Sequence, residues 1–232
     1  MPIYFLLHDA ARFHQWLRPA LTASWRQRSF EPCRALCTEL APAVRSFIER
    51  YHLGREEPLL CRVIDGLPFD RDYWRHLVSE VLFYGAADIP EIQTDPDTLN
   101  ALLAPGHAPD VPRECLAPIQ QAHFGARDLV FGGFYRPQSA GYNDTDDVAR
   151  LATYLASCDP LIPPPLLPGG KEGGVRGRVT DLPGRDDAIE DRQEELEFAR
   201  QCLFVLRDLY AAAAKNGQVV VCEVLGGELA PP

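Results

Sequence analysis

The residue types best suited to chemistry gather in one glycine-rich run, FGGFYRPQSAGYND, at positions 131–144. Four of its side chains form hydrogen bonds and each is of a different kind: Arg136, Ser139, Tyr142 and Asn143. Gly141 permits a positive φ and a close backbone approach, and the run precedes a predicted helix, whose free amides favour an anion. One interpretation is therefore a binding site in which Arg136 holds a carboxylate or phosphate and Tyr142 supplies an aromatic wall.

The same residues also fit a structural interpretation, which we favour. In it Arg136 pairs with a following aspartate, such as Asp144 or Asp146, and Tyr142 packs under the loop. His76, on the flank of a predicted helix, is a further ligand-binding candidate. Its alternative is an ordinary, partly exposed helix histidine.

Catalytic patterns are incomplete in this sequence. Ser139 would need a glycine two positions earlier to form a nucleophile elbow, and Pro137 stands there. His123 and Asp128 are candidate partners for that serine, but a single sequence does not show that they meet. We assign no catalytic residue, and the interpretation leans against an enzyme.

Metal and phosphate motifs are incomplete as well. Cys33 and Cys37 lie four apart on a predicted helix, but no CxxC or HxxxH run supplies further zinc ligands. Gly170-Lys171 is followed by Glu172 instead of the hydroxyl of a phosphate-binding loop. We predict neither a metal site nor a cofactor.

Composition limits the partners. The chain has 232 residues, 46% of them hydrophobic, and a formal net charge of −10, which argues against nucleic acid as a partner. We find no window of eighteen apolar residues and no basic leader, so we expect neither membrane insertion nor secretion. Seven scattered cysteines fit free thiols in a reducing cytoplasm. A protein partner stays open.

The elements that would position these residues follow from local patterns. We predict strands at 3–7, 129–135 and 218–225, the last buried on both faces. Asp9 should cap a helix to about Leu17, and Asp70 a helix over 71–84 whose apolar stripe includes Trp74. Pro42 should interrupt a helical region at 31–51. Further helices are predicted at 96–103, 148–157 and 188–215.

These elements predict a single α+β domain over residues 1–225. Its small sheet should contain the first and last strands and be packed by several helices. Residues 160–187 hold six prolines and six glycines, so we expect a mobile excursion there. Residues 226–232 should form a flexible tail.

Three stretches resemble the YfbM-like family of small bacterial proteins of unknown function. They are IYFLLHDAARFHQWL near the start, LPFDRDYWRHLVSEVLF at 67–83 and LRDLYAAAAKNGQVVVCEV at 206–224. The resemblance covers about a quarter of the chain, and such helix-turn-strand patterns are common. It implies a compact α+β fold and a bacterial source, and it brings no reaction.

Two functions remain in view. The first is a non-catalytic cytoplasmic binding or interaction module. The alternative is an enzyme or a small-molecule anion binder around Arg136 and Tyr142, with His76 or His123 as proton carrier.

Overall fold

The first and last strands of the chain pair with each other. The structure, a computed structural model, describes residues 3–51, 58–92, 94–104, 111–132, 140–158 and 185–224; at 51, 185–192 and 224 only the backbone is described. Strand β1 (Ile3–Asp9) runs antiparallel to β4 (Gln218–Val224), which confirms the prediction that both lie in one sheet. The predicted tail and most of the predicted excursion lie outside the described residues.

Over the described residues the sheet has four strands in the order β1-β4-β3-β2, all antiparallel. Strand β3 (Ala140–Asn143) pairs with β4, and the short β2 (Arg127–Asp128) forms the far edge. Residues Val219 to Cys222 of β4 are fully buried. Burial on both faces, predicted from the VVVC run, is therefore confirmed, because helices cover both sides of this central strand.

Helices from the first part of the chain cover one face of the sheet. The sheet side chains on this face include Leu6, Val221 and Tyr142. The helices are α1 (Ala10–Arg12), a π-helical turn (Phe13–Leu17), α2 (Arg18–Gln27), α3 (Arg34–Tyr51), α4 (Leu59–Ile64) and α5 (Arg71–Gly85). A 3₁₀ turn (Glu31–Cys33) joins α2 to α3.

Helices from the second part of the chain cover the opposite face. Phe5, Val220 and Cys222 project to that side, because successive strand residues alternate between faces. The helices are α6 (Pro96–Leu103), α7 (Pro118–Phe124), α8 (Thr145–Cys158) and α9 (Arg185–Lys215). The fold is thus mixed α+β, mostly helical and a single domain, as predicted.

Helix starts follow the predicted capping residues. The Asp9 carboxylate accepts a hydrogen bond from the Arg12 amide at 2.8 Å. Asp70 accepts from the first-turn amides of α5 and satisfies donors that a helix start leaves free. Trp74, on the buried side of α5, is 1% exposed, so its predicted burial is confirmed.

Pro42 does not interrupt its helix, contrary to the sequence prediction. Helix α3 runs through it without a break. Buried residues recur on both sides of the proline at helical spacing: Leu36, Cys37, Leu40, Ala41 and Val44. Packing of this continuous stripe outweighs the missing hydrogen bond, which costs about 3 kcal/mol.

The first helical region also extends further than predicted. It continues past Leu17 to Gln27, because Pro19 falls in the first turn of α2, where a missing amide is tolerated. The π-helical turn directly before α2 shifts the helical hydrogen-bond register, so the helix continues into α2 without a break.

In its described part, residues 129–132, the predicted strand at 129–135 is reduced to a single β-bridge at Val130, and residues 133–135 lie outside the described residues. The strand in this region is β2, which ends at Asp128, and Phe131 and Gly132 lie in a bend. The glycine-rich run was predicted to be a loop up to Asp144, but its last residues form β3 inside the sheet. Position 141 of that strand requires glycine, because a side chain there would collide with the Phe124 carbonyl and the Arg113 guanidinium.

Candidate functional site

Tyr142 and Asn143 lie on β3 and project to opposite faces of the sheet. The Tyr142 side chain is 4% exposed and packs against the Phe13 ring, with ring centroids 5.6 Å apart. Asn143 is fully buried on the other face. The structural interpretation of the run expected a covered Tyr142 ring, and the structure shows one.

Asn143 is the centre of a buried hydrogen-bond network. Its Nδ2 donates to the Gln121 carbonyl at 2.9 Å and to the Tyr210 hydroxyl at 2.7 Å. Its Oδ1 accepts from the Ala126 amide at 2.8 Å. The Tyr210 hydroxyl donates in turn to the Ala122 carbonyl at 2.7 Å. With its hydrogen-bonding capacity used inside the core, Asn143 positions β3 against α7 and α9.

Neither of the described histidine candidates hydrogen-bonds to Tyr142 or Asn143. Arg136 and Ser139 lie outside the described residues. His76 is exposed on α5. His123 is buried, with its ring nitrogens at 3.0 Å from the Ile119 carbonyl and 2.9 Å from the Thr94 hydroxyl. Burial lowers the pKa of His123 to about 4, so the ring is neutral at neutral pH. Because both ring nitrogens are hydrogen-bonded, neither is free for a proton transfer.

A second set of polar residues surrounds the outer end of the Tyr142 ring. Arg18, at the start of α2, donates from Nη1 to the Tyr142 hydroxyl at 3.1 Å, and its guanidinium carbon lies 5.7 Å from the ring centroid. This double contact fixes the position of a cation at the edge of the sheet. Tyr142 therefore takes part in a polar site through its hydroxyl, while its ring belongs to the core.

One turn before Arg18, His14 lies within hydrogen-bonding distance of Asp144. His14 Nε2 lies 2.9 Å from Asp144 Oδ1, and both side chains are partly exposed. Partial burial alone would raise the pKa of Asp144, but hydrogen bonds from His14 and from the Thr145 amide, with the charge of Arg127, outweigh it and lower the pKa. The carboxylate is therefore ionised at neutral pH and accepts the His14 N–H.

A groove of about 470 Å³ opens next to this pair. We call it the basic groove; the described residues that line it belong to the π-helical turn and α2, and they are His14, Arg18, Pro19, Thr22, Ala23, Arg26 and Gln27. Residues 10–28 contain four arginines and no acidic residue, on a chain whose net charge is −10. Within the described part of the chain, neither Arg18 nor Arg26 pairs with a carboxylate.

A cavity of mixed charge is lined in part by Arg127, whose Nη1 lies 3.7 Å from Asp144 Oδ2. It has a volume of about 600 Å³, and Arg127 and Arg150 line it with Asp147. Both guanidiniums already bind Asp147, with nitrogen–oxygen distances of 2.5 Å and 3.4 Å. Because these cations are neutralised internally, the mixed-charge cavity offers less to an anion than the basic groove does.

The basic groove is suited to anion binding. Two arginines supply guanidinium donors, and Thr22 adds a hydroxyl between them. A histidine oriented by a carboxylate is also a general-base arrangement, but no serine or cysteine lines the groove among the described residues. The groove is therefore suited to binding a negatively charged group.

Sequence reasoning missed this groove although a signal was present. Arg18, Thr22 and Arg26 recur every four residues, which places them in one row on a helix. A stretch of nineteen residues with four arginines and no acid is unusual in so acidic a chain.

Among the described residues, no three of the His, Cys, Asp or Glu side chains come together as metal ligands would. Over the same ranges, every helix is too short or too polar to span a bilayer.

No family model, curated protein or solved structure matches this chain. The YfbM-like assignment therefore stays a prediction carried by the three stretches named above.

Proposed function

We propose that this chain is a non-catalytic, cytoplasmic bacterial binding protein that takes an anionic small molecule in the basic groove. The observation that carries the proposal is the free charge of the groove, where Arg18 and Arg26 line one depression without a carboxylate partner in the described residues. The YfbM-like family resemblance is compatible with such a role.

The proposed site is an anion site, as in the alternative predicted from the sequence, but it lies at different residues. The sequence candidates were Arg136 and Tyr142; the supporting contact is now the one between Arg18 and the Tyr142 hydroxyl. A ligand at Arg18 would be held by a guanidinium already oriented on an aromatic ring, so less conformational entropy is lost on binding.

The absence of nucleic acid from the proposal rests on charge. A surface that neutralises several phosphates of a duplex must be broad and basic. Here the two arginines of the groove lie in one row on α2, and the chain as a whole has a formal net charge of −10. Long polyanions would be repelled outside the groove, whereas a small anion would not.

The test is a calorimetric titration with inorganic phosphate. The native protein should show saturable heat, and Arg18→Gln should weaken binding by about fivefold, the contribution of one surface ion pair. Arg75→Gln is the matched control, because Arg75 is an exposed arginine of α5 paired with Asp72. Equal affinities for the native protein and both variants would refute the proposal, as would the absence of binding.

A further inference from the structure

The row of side chains along the basic groove indicates the shape of its ligand. We propose that this ligand carries two anionic groups joined by an apolar linker, the class that includes α,ω-dicarboxylates. The inference rests on the proposed function and adds the number and spacing of the charges.

The first observation is the spacing of the arginines. Arg18 and Arg26 are eight residues apart on the regular helix α2, which places them about 12 Å apart along its axis. Thr22 lies midway between them in the same row. One compact anion cannot bind closely to two guanidiniums whose anchors are this far apart, but an elongated dianion binds both.

The second observation is the surface between the two cations. Pro19 and Ala23 also line the groove, and they are four residues apart, so they form a second row beside the first. Neither side chain has a polar atom. A methylene linker would cover this apolar strip and remove it from water.

The third observation separates His14 from the ligand contacts. His14 lies at the end of the groove nearest Asp144 and is paired with that carboxylate. The ionised Asp144 carboxylate would repel an anion at that end. The ligand's two charged groups are therefore placed at Arg18, held by Tyr142, and at Arg26, which is exposed and adjusts to the ligand.

The experiment measures affinity against ligand length. Calorimetry would compare succinate, adipate, suberate and sebacate, with octanoate as the single-charge control. In extended sebacate the two carboxyl carbons lie roughly 11 Å apart by standard bond lengths, close to the arginine spacing. We expect affinity to rise along the series and sebacate to bind about fivefold tighter than octanoate, the gain from a second exposed ion pair.

Arg26→Gln supplies the matched variant. It should reduce the affinity for sebacate to the level of octanoate and leave octanoate nearly unchanged, because a single carboxylate is satisfied at Arg18. Arg75→Gln should preserve the full dependence on length. Circular dichroism spectra of both variants would show that the exposed substitutions leave the fold intact.

The outcomes separate this inference from the proposed function. If phosphate binds in an Arg18-dependent manner while all dicarboxylates bind no tighter than octanoate, the two-charge ligand is refuted and anion binding stands. If neither phosphate nor any carboxylate binds, both are refuted. If length dependence persists in Arg26→Gln, the second charge is held elsewhere and the inference fails.

Discussion

Replacing Asn143 by alanine is expected to lower the free energy of unfolding by about 2–4 kcal/mol. The substitution leaves the buried Ala126 amide without an acceptor, which costs about 1–3 kcal/mol. The Gln121 carbonyl keeps a donor in the Gly125 amide at 2.9 Å, so it is not left unpaired. The lost bond to Tyr210 and the small cavity add roughly 1 kcal/mol.

The assay is urea unfolding followed by circular dichroism, with two-state analysis. Asn216→Ala is the matched control, because Asn216 is exposed in the turn after α9 and should change stability by less than about 0.5 kcal/mol. A double-mutant cycle with Tyr210→Phe should show coupling of about 0.5–3 kcal/mol, since the two side chains share a hydrogen bond.

The reasoning would be refuted if Asn143→Ala and Asn216→Ala had the same small effect. That result would mean that water or a relaxed backbone replaces the Asn143 contacts, and that β3 does not depend on them. Coupling near zero in the cycle would refute the shared network even if each single variant were destabilised.

Three further predictions concern stability. Burial lowers the pKa of His8 and His123 to about 4, below the ordinary value near 6.5. The free energy of unfolding should therefore be highest above about pH 6.5 and should fall by roughly 3 kcal/mol per histidine as the pH drops toward 4. Urea unfolding measured across that pH range tests this. Gly125→Ala should cost several kcal/mol, because its Cβ would lie within 2.9 Å of the β3 backbone, whereas Gly66→Ala, at a similar positive φ in open space, should cost about 1–2 kcal/mol; equal thermal shifts would contradict this. Trp74→Ala should cost about 3–5 kcal/mol in the same unfolding assay, and a loss below about 1 kcal/mol would contradict its buried position.

Local patterns were sufficient for the parts of the fold that local forces decide. Asp70 and the apolar stripe of α5 could be predicted because a cap and its helix are neighbours in sequence. The burial of β4 could be predicted because an unbroken apolar run fits only a strand covered on both faces. Pairing of β1 with β4 followed because neither strand is stable alone.

Long-range contacts set the parts that the sequence did not predict. Strand β3 has four residues, one of them glycine, and its conformation is imposed by β4, which lies far along the chain. The pair between His14 and Asp144 joins residues 130 positions apart. Pro42 was misjudged because tertiary packing overrode a local preference.

The basic groove itself was within reach of the sequence. The four-residue spacing from Arg18 to Arg26 needed only a correct helix boundary, and the predicted end near Leu17 concealed it. The free state of those arginines, however, depends on which carboxylates lie nearby in space, and a single sequence does not show that.

The most direct test of anion binding in the basic groove is an arginine side-chain NMR titration with sebacate, whose two carboxylates match the spacing of the two arginines. The Nε–Hε signals of Arg18 and Arg26 should move together and saturate, because both guanidiniums line the groove. The signal of Arg75, on α5 and paired with Asp72, should stay in place. Shifts at Arg75 equal to those at Arg18 and Arg26, or no saturable shift at either groove arginine, would contradict the account.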